Sequence, residues 1–346
     1  MKKQGETRKF LASCNSLKYE IKMVRENILV VNNFHPETLK TMSKRYHLHH
    51  LWKLKKKSRS DLIRSLSGQC KIAVTASWEC DSDVYNIDSL KLISAFGVGV
   101  DGIDFKQTEQ LGIRVSNTPG VLNDAVAELA VGLMITSFRD IVTAHYFAKS
   151  NSWVDQPFPL GKLLKGKTLG IAGFGSIGAS VVKRIKPFGV NVAYHNRRPL
   201  DGPYKYCDSL IELAEASDIL LCLLPGGEET KNAISTPVLE ALGAEGILIN
   251  LGRGISVNEQ ALTQALLDKT IKLACLDVYQ NEPNIPAPWR ELDNVILLPH
   301  IGSATIETRR KMGELVLQNV EEFILHEQLI TEVMHYPDSE ERKNSA

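Results

Sequence analysis

Short apolar runs recur along the chain, and most are followed by stretches whose apolar residues stand three and four positions apart. The runs read as buried strands and the spaced stretches as helices that cover them. In the first part, Ile28–Asn33, Tyr46–Trp52, Lys71–Ala76, Leu90–Phe96 and Ile113–Asn117 read as strands. Glu37–Arg45, Asp61–Leu66 and Asp104–Leu111 read as helices between them, with Ser60 as a cap for the second. This alternation predicts a parallel sheet covered on both faces. Asn117-Thr118-Pro119-Gly120 is a turn cluster. One long helical pattern then runs from Asn123 to about Lys149, with Asn123 or Asp124 as N-cap. Its apolar residues lie nearly all round, which predicts burial on two sides, one of them against a second subunit.

The alternation resumes at Gly166–Arg198, GKTLGIAGFGSIGASVVKRIKPFGVNVAYHNRR, around which the chain is organised. Lys167–Phe174 reads as a strand, Ile177–Phe188 as a helix ended by Gly189, and Val190–His195 as a second strand. Gly173, Gly175 and Gly178 stand between in the spacing GxGxxG. The first glycine permits a tight turn, the second lets a pyrophosphate approach the backbone, and the third lets helix and strand pack closely. The helix start at Ser176 and Ile177 then offers N–H groups and positive dipole to phosphates. In this order and length the motif predicts dinucleotide binding. Asp218–Leu224, Gly246–Leu251, Leu273–Asp277 and Asn294–Leu298 read as further strands, with helices at Leu210–Ala216, Thr236–Leu242 and Asn258–Lys269. Six strands are then available, the number a doubly wound dinucleotide domain uses. A long helix capped by Ser303 or Thr305 runs to about His326.

Composition narrows the function. The 346 residues suffice for two domains, and a net charge of +1 gives no reason to expect nucleic acid or an acidic membrane surface. No apolar run approaches the ~18 residues of a membrane span. Cys14, Cys70, Cys80, Cys207, Cys222 and Cys275 form no CxxC pair and read as small hydrophobes of a reducing, cytoplasmic protein. Met1–Lys22 and the stretch from Pro337 read as loose tails, and Met23 is a possible start. His47, His49 and His50 have no carboxylate or cysteine at ligand spacing, so no metal is expected. Lys53–Arg59 reads as a solvated basic loop, Leu51 and Trp52 as core at a strand end, and Trp153 as part of a subunit contact or domain seam.

Open parallel sheets bind ligands beyond the carboxyl ends of their strands. Arg253, Glu282 and His300 each follow such an end. Together they suit carbonyl reduction: an arginine binds a carboxylate and polarises the neighbouring carbonyl, and a histidine protonates the alcohol. A carboxylate beside the histidine favours the imidazolium and fixes its tautomer. At the end of the second strand, Asn196 takes the place where an acid would bind the adenosine ribose of NAD. Arg197 and Arg198 follow it and can pair with the 2′-phosphate of NADP, while Asp201 nearby keeps NAD(H) possible.

Gly97–Asp104 (GVGVDGID), Asn117–Leu122 (NTPGVL), GFGSIG, Leu251–Gly254 (LGRG), Leu276–Pro283 (LDVYQNEP) and Pro299–Thr305 (PHIGSAT) resemble the D-isomer-specific 2-hydroxyacid dehydrogenases, in order from about Ile28 to Met334. Within that family the glyoxylate/hydroxypyruvate reductase branch is the most similar. The resemblance implies an α/β fold of two Rossmann-like doubly wound parallel-sheet domains. The cofactor domain (121–300) is inserted in a discontinuous substrate domain (26–120 and 301–334), with tails at 1–25 and 335–346. It implies Arg253 as anchor of the substrate carboxylate and carbonyl, Glu282 as orienter of the histidine, and His300 as acid/base. It further implies that N–H groups at Val98 and Gly99 bind the carboxylate. Asp277 would meet the nicotinamide carboxamide, and Leu224 and Pro225 would lie along the cofactor. The expected protein is a homodimeric, NADP(H)-preferring reductase of small 2-oxo acids. The alternatives are phosphoglycerate or another D-2-hydroxyacid dehydrogenase and, from another class, a dinucleotide-sensing corepressor that binds peptide partners.

Overall fold

Two parallel sheets, of five and seven strands, frame the protein. The structure is a computed structural model and describes residues 25–76 and 80–333. The tails expected at 1–25 and 335–346, apart from Arg25, lie outside the described residues, as do Cys14 and Met23.

The first sheet contains β1 (Asn27–Val30), β2 (His47–His50), β3 (Cys70–Ala76), β4 (Leu92–Phe96) and β5 (Arg114–Ser116), in the order β2-β1-β3-β4-β5. Its continuous apolar runs are buried on both faces. Ile28 and Val30 face one core cluster and Leu29 the opposite one. Helices α1 (Pro36–Arg45), α2 (Lys56–Leu66) and α3 (Phe105–Leu111) make the crossovers. α2 begins a turn before the sequence reading, so the basic stretch at Lys56, Lys57 and Arg59 is helical and Ser60 is not its cap. Only the Ile63 and Leu66 face of α2 is buried, which explains why its polar first turn reads as loop.

α4 (Asn123–Arg139) and α5 (Ile141–Lys149) replace the single helix expected from Asn123 to Lys149. The break is at Asp140, whose φ of 48° ends one helix and starts the next. No side chain caps α4; Leu122 holds the N-cap position in place of Asn123 or Asp124.

The second sheet contains β6 (Thr168–Ala172), β7 (Asn191–His195), β8 (Lys205–Tyr206), β9 (Ile219–Cys222), β10 (Ile247–Asn250), β11 (Leu273–Leu276) and β12 (Val295–Leu297). All neighbours are parallel, in the order β12-β11-β10-β9-β6-β7-β8. There are thus seven strands, not six. β8, two residues long and preceded by Gly202 and Pro203, is too short to show a pattern. α6 (Ser176–Ile185), α7 (Leu210–Glu215), α8 (Thr236–Leu242) and α9 (Glu259–Leu267) connect the strands. Ser209 caps α7 and Asn258 caps α9 through hydrogen bonds from Glu212 and Ala261 N–H.

α10 (Ile306–His326), capped by Thr305, returns to pack on α1 and β4 of the first sheet. α4 packs on α6 beside the second sheet. The strand order reverses at β6, flanked by β7 and β9, which opens a crevice at the carboxyl edge there.

Candidate active site

The carboxyl ends of both sheets face one cleft. It is lined by Phe96, Gly97, Val98, Gly99 and Asp101 from the first sheet, and by Leu224, Pro225, Arg253, Asp277 and His300 from the second. Arg253, His300, Val98 and Gly99 therefore line one cleft, although Val98 and His300 lie far apart along the chain.

Arg253 reaches the cleft from the turn after β10. Asn250, 1% exposed, fixes this turn by accepting from Gly252 N–H and donating to the Arg253 carbonyl. Gly254 is required, because a Cβ there would overlap the Tyr279 backbone. The guanidinium then donates through Nε to Asp101 Oδ2 at 2.5 Å and through Nη1 to the Gly252 carbonyl at 2.9 Å. Its Nη2 lies directly over Gly99, where a Cβ would collide with it. The free edge of the arginine thus stands beside the backbone of Val98 and Gly99. Sequence reasoning missed Asp101; being one of the two acids inside GVGVDGID was its only signal.

His300 follows β12 with a φ of 54°, a left-handed conformation rare outside glycine. Two carboxylates hold it there. Glu282 Oε2 is 2.7 Å from His300 Nδ1, while Glu282 Oε1 accepts from Tyr279 N–H. Burial alone would raise the Glu282 pKa. The hydrogen bond and charge of His300, with Tyr279 N–H and Arg253, outweigh it and hold the carboxyl below the usual glutamate value. Asp277, 1% exposed, accepts from Ile301 N–H and Gly302 N–H, each at 2.7 Å. Burial pushes its pKa up against those two bonds. Asp277 therefore braces the histidine loop, a task the sequence reading did not give it.

The dinucleotide fingerprint is set for a phosphate. Gly173 has a φ of 89° at the turn, and a Cβ there would come within 3.0 Å of the Leu223 backbone. Around Gly175 nothing lies within 4 Å of an added Cβ, so the N-terminus of α6 at Ser176 and Ile177 has open space before it. Such a cradle fits a pyrophosphate. Gly178 is less constrained than expected, since a Cβ would meet Ile171 and Phe174 at ordinary contact distances of 3.5 Å.

Asn196, in the acid's place at the end of β7, turns its side chain inward. Its Oδ1 accepts from Phe174 N–H at 2.6 Å and its Nδ2 donates to the Phe174 carbonyl at 3.0 Å. The amide is committed to bracing the glycine turn. Arg197, its side chain 89% exposed, pairs with Glu229 at 3.1 Å, and Arg198 is exposed beside it.

The remaining features stay outside the cleft. His49 Nε2 meets Asn27 Oδ1 and His50 sits edge-on to Trp52. Leu51 is fully buried after β2. Among the described residues no three His, Cys, Asp or Glu gather as a metal site, and no helix is long and apolar enough to cross a membrane. Burial pushes the thiols of Cys222 and Cys275 up to about 12, so neither is a nucleophile at neutral pH.

Comparison with known proteins agrees with this geometry. Residues 131–302 match the family described as D-isomer specific 2-hydroxyacid dehydrogenase, NAD binding domain. Glyoxylate/hydroxypyruvate reductase A of Arabidopsis thaliana is 37% identical over 300 residues, 85% of this chain and 94% of that one. Hydroxyphenylpyruvate reductase of Plectranthus scutellarioides is 37% identical over 297 residues, again 85% and 94%. Among solved structures, the NADPH-dependent glyoxylate/hydroxypyruvate reductase of Sinorhizobium meliloti, in complex with NADP and malonate, superposes with a TM-score of 0.83. It is 35% identical and the match covers 89% of this chain and 97% of that one.

Proposed function

We infer from its membership of the D-isomer-specific 2-hydroxyacid dehydrogenases, the family to which this chain belongs, and from its cleft, that this oxidoreductase reduces glyoxylate and hydroxypyruvate to D-2-hydroxy acids. One observation carries the reading. An arginine edge, the backbone of Val98 and Gly99 and a carboxylate-bound histidine line one cleft at the carboxyl ends of the two sheets.

Each residue has a task that its surroundings support. The N–H groups of Val98 and Gly99 and Arg253 Nη2 seat the substrate carboxylate. Arg253 also draws electron density from the adjacent carbonyl oxygen. His300 delivers a proton to that oxygen, and Glu282, a carboxylate at neutral pH, favours its imidazolium. The nicotinamide, when bound, would supply the hydride, and Leu224 and Pro225, which line the cleft, would lie along the cofactor. Residues 26–120 with 301–334 serve the substrate and 121–300 the cofactor.

NADP(H) is the preferred cofactor in this reading, with NAD(H) accepted. The support is the neutral Asn196 in the acid's position, next to Arg197 and Arg198. The protein works in the cytoplasm, a reading supported by the unpaired, buried thiols of Cys70, Cys207, Cys222 and Cys275. It is a homodimer. α5 buries none of its residues although it carries Ile141, Val142 and Tyr146, and the following segment exposes Trp153, Val154, Leu160 and Leu163. A second copy covers that surface.

The test follows NADPH and NADH oxidation with glyoxylate and hydroxypyruvate, with the configuration of the product determined. D-glycerate from hydroxypyruvate is expected; L-glycerate, or no oxidation of either cofactor, would refute the reading.

A further inference from the structure

Arg309 is a second arginine in the cleft, with no task in the reaction above. It stands in the opening turn of α10 and lines the same cleft as Val98, Gly99, Arg253 and His300. Its guanidinium carbon lies 5.6 Å from the centroid of the Phe96 ring. Phe96 ends β4 and directly precedes the Gly97-Val98-Gly99 loop. The cation therefore stands beside the proposed carboxylate seat.

The placement is unfavourable in three ways. Arg309 is half-buried, and that burial lowers its pKa, opposed only by the Asp277 charge. It sits where the helix dipole is positive. Among the described residues its guanidinium has no hydrogen-bond or ion-pair partner. The Phe96 face offsets part of this cost. A desolvated cation with no carboxylate in ion-pair contact, in a cleft shaped for an anion, finds its partner in the ligand.

The rest of the cleft narrows what it binds. Asp101 is committed to Arg253 and Asp277 to Ile301 and Gly302 N–H. In the proposed reaction the substrate carboxylate and carbonyl are already matched. Of the described polar side chains that line the cleft, Ser303 and Arg309 are left. We propose that Arg309 is a specificity residue that binds an oxygen-bearing group on C3 of the substrate. The enzyme then favours 2-oxo acids with a hydroxyl or acidic group at C3. This rests on the proposed reduction of 2-oxo acids.

Hydroxypyruvate and glyoxylate differ by one such group. Their kcat/KM values with NADPH, measured in wild type, Arg309→Met and Arg309→Lys, give a ratio from which loss of folded protein cancels. The hydroxypyruvate-to-glyoxylate ratio falls at least about tenfold in Arg309→Met and less in Arg309→Lys, which keeps a cationic donor. NADPH binding, read by fluorescence without turnover, checks the fold of each variant. Where Arg309→Met does not fold, Arg309→Gln replaces it, and the ratio falls there too. A ratio unchanged in the folded variant overturns the assignment of Arg309. A wild type that reduces neither acid overturns instead the reading beneath it.

Discussion

Asp101 Oδ2 accepts from Arg253 Nε across the cleft, joining the glycine-rich loop after β4 to the turn after β10. The contact is tight on both sides. A Cβ on Gly226 would come within 2.8 Å of the Asp101 carboxyl carbon, and one on Gly99 would overlap Arg253. The carboxylate takes one edge of the guanidinium and leaves the Nη2 edge over Gly99.

Asp101→Ala is therefore expected to lower kcat/KM for 2-oxo acids about tenfold or more, the worth of a charge-assisted hydrogen bond. Gly99→Ala, which displaces the guanidinium, is expected to do at least as much. NADPH affinity, measured by titration, stays within about threefold in both. Full activity in Gly99→Ala would show that Arg253 works from another position.

With His300 as the proposed proton donor, kcat/KM for reduction is expected to fall as pH rises, and oxidation of the hydroxy acid to show the opposite dependence. Glu282→Gln removes the anion that favours the imidazolium, and the alkaline limb moves to lower pH. Glu282 itself has a folded pKa below its unfolded one. Its pairing thus stabilises the protein above the ordinary glutamate range and is lost as pH falls through the depressed value. A pH–rate profile identical in wild type and Glu282→Gln would remove Glu282 from this role.

Much of the cleft's lining is legible in the sequence because it lies in short motifs at strand ends. The strands β6, β9, β10 and β11 are continuous apolar runs, so the residues just after them were marked as a ligand edge. What the sequence hid depends on contacts between distant segments. Asp101 is an ordinary loop acid until β4 and β10 face each other. Asn250 and Asp277 are buried polar groups whose partners are backbone N–H and C=O groups, which no pattern reveals. Asn196 sits where expected, yet its amide turns inward to Phe174. Asp140 splits a helical pattern because one residue takes a left-handed φ, and a polar residue between apolar neighbours does not announce it.

In the proposed reading, cofactor choice rests on Arg197 and Arg198. A preference for NADPH over NADH of at least about tenfold in kcat/KM is expected from one or two charge-assisted contacts. Arg197→Ala with Arg198→Ala reduces it. Asn196→Asp adds a repelling charge and also loses the Nδ2 bond to the Phe174 carbonyl, so it weakens binding of both cofactors while shifting the ratio towards NADH. A wild type that prefers NADH would leave the arginines as surface charge.

The apolar surface of α5 and residues 153–163 predicts a dimer mass by light scattering at micromolar concentration. Trp153→Asp with Leu160→Asp, at residues 71% and 97% exposed, is expected to shift the mass towards the monomer. A monomer mass for the unaltered protein would reject the assembly.

Arg253→Lys keeps the charge but not the planar fork that lets one edge hold Asp101 while another meets the substrate. The decisive measurement is NADPH-dependent reduction of hydroxypyruvate by wild type and Arg253→Lys side by side, with NADPH binding titrated in each. The prediction is D-glycerate from the wild type, and a kcat/KM lower by about two orders of magnitude in the variant with cofactor binding retained. Equal turnover in the two proteins would contradict it.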